Sequence, residues 1–313
     1  MIRTLLRRLA LSIPLLFVVT VLTFAVTGLT PGSTAVTILG TSATAAKIAA
    51  LNRQLGLNQP VFVQYWHWLD HAVHGNLGTS ILTGENVTTI LGNALPVTLS
   101  LIVGAVTVTV VIGVPLGVFS ARRAKSGGQV VDTVSLVGFA VPNFFLGLMF
   151  GYVFSNVLNW FPAAGFTPLT QSFTGWLSSI VLPIATIAIP GAAMIARQTR
   201  QGMLDVLSRD YIRSLRARGL PERSVIYKHA LRNALGNVVT MLGIYIVGLL
   251  LATTLVENVF AMQGIGTVAV SATSEHDLPV LEGAALYLTV IVVVAFVLVD
   301  LTRAWLNPKL RSH

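Results

Sequence analysis

Six long apolar runs constrain this sequence more than any other feature. Each is long enough to form a helix that crosses about 30 Å of hydrocarbon, which takes roughly 20 residues. The runs do not alternate apolar and polar residues, as the strands of a membrane barrel do. We therefore predict an all-α integral membrane protein with six transmembrane helices, near Leu9–Leu29, Leu95–Ser120, Thr133–Val157, Trp176–Ala196, Gly236–Val256 and Leu281–Val299.

The basic residues predict how these helices are oriented. Eighteen of the 20 Lys and Arg residues precede the first run, follow the last run, or lie between runs two and three or runs four and five. Lys47 and Arg53 are the exceptions. Because Lys and Arg are enriched in cytoplasmic loops, we predict that both termini are cytoplasmic. Topology then explains the net charge of +9, so membrane lipid is an expected partner and nucleic acid is not.

This topology divides the chain into three regions. Residues 1–30 form an N-terminal tail and the first span, residues 31–94 an extracytoplasmic region, and residues 95–313 a five-helix core with a cytoplasmic hairpin at about 198–235. In the extracytoplasmic region we predict a helix over Ala43–Leu55 and a second helix that Pro60 opens. The apolar face of the second helix either lies at the membrane interface or packs on other extracellular loops.

Three histidines of that second helix are weak candidates for metal binding. His67, His71 and His74 lie at i, i+4 and i+7, hence on one helical face. Two histidines at i and i+4 can chelate a metal. An exposed polar face accounts for them more simply, and we predict no metal site.

Signatures of catalysis are absent from the sequence. The chain has no cysteine, which excludes disulfides, thiolate metal sites and cysteine nucleophiles. No Gly-Lys dipeptide occurs, so there is no Walker A loop, and neither H-E-x-x-H nor G-x-S-x-G is present. Residues 133–196 carry no formal charge, which argues against a proton relay or a voltage sensor. These absences predict that the chain is not an enzyme.

Prolines inside the predicted spans indicate a bundle with interrupted helices. Pro115, Pro142, Pro183 and Pro190 should kink or break their helices and free backbone groups, which protein or a water-filled path must then satisfy. Nearby polar residues are the candidates for a pathway through the bundle, namely Ser135, Asn143 and Asn156.

The basic stretch between spans four and five predicts two amphipathic helices. One covers Thr199–Ala217 and the other Glu222–Leu235, and both fit a period of 3.6 residues. Gly219 can take the left-handed conformation that ends the first helix, and Pro221 presets the start of the second. In the first helix the apolar face is expected to hold Met203, Leu204, Leu207, Tyr211 and Leu215. Such a hairpin could lie on anionic lipid or project into the cytoplasm.

The same stretch resembles the cytoplasmic loop of ABC-importer membrane subunits, in the dipeptide, oligopeptide and nickel branch. The similar segment reads YIRSLRARGL…HALRNAL, and Gly219 aligns with the glycine of the family motif. Further similar stretches are LNRQLGLNQPVFVQYWHWL, GNLGTSI, LPVTLSL…IGVPLGVFSA, VGFAVPNFFLGLM, VENVFAMQGIG and VDLTRAWLNPKLR. They follow the family order over nearly the full length.

The resemblance implies a type I importer permease of the prokaryotic inner membrane. Its expected partners are a second homologous permease subunit, two ABC ATPase subunits and an extracytoplasmic solute-binding protein. The chain itself would hold no cofactor, since ATP and Mg would bind to the partner subunits. In that family a short helix of the loop docks on the ATPase, which implies coupling roles for Asp210, Tyr211, Arg213, Ser214, Leu215, Arg216, Ala217 and Gly219.

Di- and oligopeptides are the expected cargo, and nickel or haem-like cargo is the alternative within the branch. Outside it, a stand-alone secondary transporter or channel would need intramembrane ionisable residues or a filter loop. A membrane enzyme would need a catalytic constellation. The sequence contains none of these features.

Overall fold

The computed structural model describes residues 2–29, 36, 39, 43–54, 58–122 and 141–306, and helices dominate these ranges. An isolated bridge between Thr79 and Asn86 is the only strand-like pairing that they contain. In chain order the helices are α1 Ile2–Leu29, α2 Ala45–Gln54, α3 Val61–Val73, α4 Val87–Arg122, α5 Asn143–Val157, α6 Phe173–Leu207, α7 Asp210–Ala217, α8 Glu222–Val259, α9 Ile265–Glu275 and α10 Leu278–Leu306. Two segments are π-helical: the second half of α5, Gly151–Val157, and a segment near the start of α8, Val225–Ala230.

Four of these helices, α4, α6, α8 and α10, are long and apolar enough to cross a membrane. Two shorter apolar segments, Ala10–Val26 of α1 and all of α5, accompany them. The predicted all-α membrane fold is therefore confirmed. Residues 133–140 of the third predicted span, which include Ser135, lie outside the described residues, and the count of six spans stays a prediction.

Most of the helices extend beyond the apolar runs that predict them. The helix of the fourth span continues from Ala196 to Leu207, and that of the fifth span begins at Glu222 rather than at Gly236. Of the four prolines expected to kink or break helices, Pro142 directly precedes α5. Pro115, Pro183 and Pro190 lie inside continuous helices.

The chain divides into two compact units, and the larger contains Leu99–Met262. Within it, glycines of α4 allow close packing on α6. A Cβ added to Gly113 would lie 2.8 Å from the carbonyl oxygen of Ala192, and one on Gly117 would lie 2.5 Å from that of Ala196. Small residues four positions apart let the backbones of membrane helices approach closely. The α4–α6 pair therefore depends on these two glycines.

The second unit contains Arg7–Thr98 and Gln263–Val293. In its core, apolar residues of α4, α9, α10 and the loop before α4 pack together, namely Leu77, Val87, Leu91, Ala94, Ile265, Ala272, Val280 and Ala284. Buried Asp277 accepts hydrogen bonds from the Ser80 hydroxyl and the Ile81 amide, which fixes the turn before α4 to the start of α10. Carboxylate acceptors of this kind form the stronger class of hydrogen bond.

Helix α3 packs on α1 in this second unit. The Tyr65 hydroxyl lies 3.1 Å from the Thr20 hydroxyl, and its ring meets Phe17 and Phe24 edge-on at 5.8 and 5.3 Å. The prediction of an amphipathic helix after Pro60 is confirmed. Tyr65 contacts α1, and Trp68 and Ala72 pack against the core of this unit, whereas Phe62, Trp66 and Val73 are exposed. The choice between the membrane interface and other extracellular loops for that exposed face stays a prediction.

Candidate functional site

The basic hairpin, residues 198–235, is the site to which the sequence assigns a function. It consists of the end of α6, the short helix α7 and the first turns of α8. The prediction of one continuous helix over Thr199–Ala217 is wrong, because the backbone is extended at Arg209 (φ −73°, ψ 147°) and separates α6 from α7. The break lets α7 take a direction of its own at the tip of the hairpin.

The break also changes which side chain of α7 is buried. Ile212 is fully buried, whereas Tyr211, expected on the apolar face, is 38% exposed. A continuous 3.6-residue period across Ser208 places Tyr211 inside, but the interruption shifts the register by one residue. The Tyr211 hydroxyl instead accepts a hydrogen bond of 3.0 Å from the Asn233 side chain of α8.

The hairpin shares a hydrophobic core with the end of α4, which makes it stiff. Four helices contribute to it: α4 through Val118 and Ala121, α6 through Met203 and Val206, α7 through Ile212, and α8 through Val225, Ile226, Ala230 and Ala234. Leu215 packs against this core and is only partly exposed. Leu215 therefore supports the hairpin from within and is not a docking contact alone.

The turn after α7 is a Schellman motif. Gly219 has φ +77°, as predicted, and its amide donates to the Arg216 carbonyl. The Leu220 amide donates to the Leu215 carbonyl at 3.3 Å, and both leucines pack on the hairpin core. These two backbone bonds and this hydrophobic contact define the motif. The angle between α7 and α8 is thus fixed by local hydrogen bonds.

An ion pair spans the same turn from outside. The Arg216 guanidinium donates to both carboxylate oxygens of Glu222, through Nε at 3.1 Å and Nη2 at 2.7 Å. This hydrogen bond raises the pKa of Arg216 above its ordinary value. Bidentate geometry is the arrangement in which an exposed pair contributes to stability. Arg216 thus stabilises the hairpin itself, because its ion pair links the two sides of the turn at Gly219.

The outer face of α7 remains available to a partner. Asp210, Tyr211, Arg213, Ser214 and Ala217 are exposed there, and Arg213 pairs only loosely with Asp210 at 3.4 Å. Exposed cations continue along the hairpin at Arg218, Arg223, Lys228 and Arg232. Tyrosine and arginine are enriched among the residues that dominate protein interfaces. A rigid, basic and partly aromatic surface of this kind suits a partner with an acidic groove.

The other candidate residues lie elsewhere in the structure. Asn143, at the start of α5, lines a cavity of about 320 Å³ together with residues of α6 and α8. Asn156 is exposed in the π-helical end of α5 and does not line that cavity, and Ser135 lies outside the described residues. Sequence reasoning missed Tyr245, which also lines the cavity, because a tyrosine inside an apolar run carries no distinct signal.

Of the three candidate histidines, His67 and His71 lie in α3 and His74 directly follows it, and all three are exposed. Nδ1 of His71 lies 2.7 Å from the His67 carbonyl, and Nδ1 of His74 lies 2.7 Å from the Asp70 carbonyl. Each of these two rings thus keeps only Nε2 for another partner. Among the described residues there is no group of three or more side chains that could hold a metal ion.

Comparisons with known proteins cover nearly the full length of the chain. Residues 113–312 match the family described as "binding-protein-dependent transport system inner membrane component", and residues 1–102 match its N-terminal counterpart. A putative peptide transport system permease protein of Brucella abortus is 38% identical over 98% of both chains. The oligopeptide transport system permease protein AppB of Bacillus subtilis is 35% identical over 97% of this chain and 98% of its own.

A solved structure shows the same fold. It is the MetNI methionine ABC transporter in an inward-facing conformation, with a TM-score of 0.56 and 18% sequence identity. The match covers 70% of this chain and 97% of the other. At this identity the likeness concerns the fold alone.

Proposed function

This chain belongs to the family of binding-protein-dependent transport system inner membrane components, and we propose that it forms one half of the membrane pathway of an ATP-driven importer of di- and oligopeptides. It is a multi-pass membrane permease subunit and not an enzyme, since ATP hydrolysis in this family belongs to a separate subunit. The observation that carries the proposal is the similarity to peptide permeases over 98% of the chain.

The hairpin supports a coupling role. Its tip, the exposed face of α7 with Tyr211, Arg213 and Ser214, would dock in a groove of the ATPase. Leu215, Arg216 and Gly219 would hold the tip at a fixed angle through the core contact, the ion pair and the turn. The remaining candidates, Asp210 and Ala217, would border the contact. A stiff element transmits a displacement to the helices that carry it, which here are α6 and α8.

The mechanism follows from this division of roles. Two ATPase subunits would bind ATP and Mg, and their closure would draw the hairpins of the two permease subunits together. Helices α6 and α8 would then move with their hairpin and open the pathway to the other side. The nucleotide can shift this equilibrium only through contacts that differ between the two states. The tip of α7 would make such contacts.

The remaining partners and the topology belong to the same proposal. A second, homologous permease subunit would complete the pathway, and an extracytoplasmic solute-binding protein would deliver cargo. Membrane lipid would cover the apolar side chains that are exposed on α4, α8 and α10. The chain would cross the membrane six times with both termini in the cytoplasm, as the distribution of Lys and Arg supports.

Peptide cargo is proposed from the names of the relatives, and nickel or haem-like cargo is the alternative within the branch. Asn143 would belong to the pathway, since it lines the cavity beside α6 and α8.

Reconstitution tests the proposed function. The chain is co-purified with its neighbouring permease, ATPase and binding-protein subunits, placed in liposomes, and supplied with a labelled dipeptide or pentapeptide. We expect uptake that requires ATP and every subunit. ATP-independent uptake by this chain alone would contradict the proposal and would favour a stand-alone transporter.

A further inference from the structure

Two hydroxyl groups from neighbouring helices meet one turn of α6, directly before Pro190. The Tyr245 hydroxyl of α8 donates to the Ile187 carbonyl at 3.0 Å. The Thr109 hydroxyl of α4 lies 3.4 Å from the Ala188 carbonyl and 3.3 Å from the Tyr245 hydroxyl. Thr109 is fully buried. Three helices are thus joined by one small polar cluster in an otherwise apolar region.

This turn is one of two places where a proline interrupts the backbone hydrogen bonds of α6, the other being Pro183. Pro190 has no amide hydrogen, so the Thr186 carbonyl loses its helical donor. In a membrane such a loss is tolerated where neighbouring helices or hydroxyl side chains support the freed backbone. The two hydroxyls bond the next two carbonyls, Ile187 and Ala188, rather than the freed Thr186 carbonyl. The turn of α6 before Pro190 is therefore tied to both α4 and α8.

The cluster has three oxygen–oxygen contacts but only two hydroxyl hydrogens. Each hydroxyl donates one hydrogen, so the three oxygen–oxygen contacts can hold only two hydrogen bonds at once. Tyr245 can donate to Ile187 or, after turning its hydroxyl hydrogen, to Thr109. In the second arrangement Thr109 donates to Ala188, and both hydroxyls remain bonded. The bond between Tyr245 and Ile187 can thus open without leaving a buried hydroxyl unsatisfied.

Gly191 makes this arrangement possible. A Cβ at that position would overlap the Tyr245 hydroxyl and would lie 2.8 Å from the Thr109 hydroxyl. The side chain of Tyr245 reaches the α6 backbone only because residue 191 has none. Pro190, Gly191 and Tyr245 also line the cavity of about 320 Å³, with Asn143 and Met194. The cluster therefore forms part of the cavity wall.

We propose that Tyr245 is a positioning residue, whose hydroxyl holds the Pro190 turn of α6 against α8 and so sets the width of the cavity. The cavity opens when this hydroxyl releases the Ile187 carbonyl and donates to the Thr109 hydroxyl instead. The nucleotide-driven opening and its link to cargo passage rest on the proposed function, whereas the resting position of the Pro190 turn does not. The exchange is a property of the three helices and can be measured without cargo.

Thiol labelling tests this proposal, because the chain has no native cysteine. Met194→Cys places a reporter in the cavity wall, and its reaction rate with N-ethylmaleimide is measured in the assembled complex, with and without ATP and vanadate. In the resting state, Tyr245→Phe should raise the rate by about two- to tenfold, the shift that corresponds to losing one neutral hydrogen bond. Tyr152→Phe is the matched control, since that tyrosine is 65% exposed, and it should leave the rate unchanged.

Thr109→Val tests the exchange of hydrogen-bond partners separately from the resting bond between Tyr245 and Ile187. It keeps the bond between Tyr245 and Ile187 but removes the alternative acceptor, so resting labelling should stay near that of the parent while the nucleotide-dependent change is lost. Equal resting rates in the parent and in Tyr245→Phe would overturn the proposal, and so would a Thr109→Val variant that behaves like Tyr245→Phe. Absence of ATP-driven uptake in the parent would refute the proposed function, whereas the resting rates would still decide the role of Tyr245.

Discussion

At the residue scale, the turn of the hairpin depends on one backbone conformation. Gly219 lies in the left-handed region, and a Cβ there would meet no atom within 4 Å. Any effect of a substitution must therefore come from backbone strain and not from a clash. This property allows a graded test of how far coupling depends on the angle of α7.

We predict that Gly219→Asn reduces coupling least, Gly219→Ala more and Gly219→Val most. The left-handed conformation costs an L-residue roughly 1–2 kcal/mol, least for Asn and most for β-branched side chains. The measurement is peptide uptake per ATP hydrolysed in the reconstituted complex. Equal coupling in Gly219→Asn and Gly219→Val would show that the turn does not set the function of the hairpin.

The ion pair across the turn gives a second residue-scale prediction. Arg216→Glu should weaken coupling, because the two carboxylates at 216 and 222 then repel each other. Arg216→Glu combined with Glu222→Arg should restore part of it, since the pair is re-formed with opposite polarity. The effect should be modest, about 0.2–1 kcal/mol, as for other exposed pairs, and it should diminish in high salt. A double variant as impaired as the single one would assign Arg216 to the partner surface instead.

At the element scale, the sequence predicted the turn of the hairpin but not its break. Gly219 and Pro221 are strong local signals, and both act at the ends of helices as expected. Ser208 and Arg209 carry no comparable signal, and the apolar period runs through them. The separation of α6 from α7 results from tertiary packing, because Ile212 is drawn into a core shared with α4 and α8.

The contact between α4 and α6 illustrates the same limit. Gly113 and Gly117 are visible in the sequence as a pair four residues apart, but their partner helix is not. The structure identifies it through the short distances to the Ala192 and Ala196 carbonyls. Likewise, the cluster of Thr109, Tyr245 and Ile187 joins residues far apart in the chain, and no spacing rule relates them.

We predict that Gly117→Ala lowers the thermal midpoint of the purified protein. The new methyl group would lie 2.5 Å from the Ala196 carbonyl and from Thr199 Cβ, so α4 and α6 must separate. Overpacking of this kind typically costs about 1–3 kcal/mol. Gly92→Ala is the control in the same helix, since its Cβ would meet nothing within 4 Å. A Gly117→Ala protein as stable as Gly92→Ala would show that the helices adjust without cost.

At the scale of the whole molecule, we predict that the hairpin and α3 lie on opposite sides of the membrane. The distribution of Lys and Arg predicts that the loop after α6 is cytoplasmic and that residues 31–94 are outside, without any reference to the folded structure. Because the chain lacks cysteine, Ser214→Cys and His71→Cys give single, exposed reporters of the two regions. In intact cells a membrane-impermeant maleimide should label residue 71 only, and in inverted vesicles residue 214 only. Labelling of both positions from one side would contradict this topology. Labelling of residue 214 in intact cells would mean that an ATPase in the cytoplasm could not reach the tip of α7.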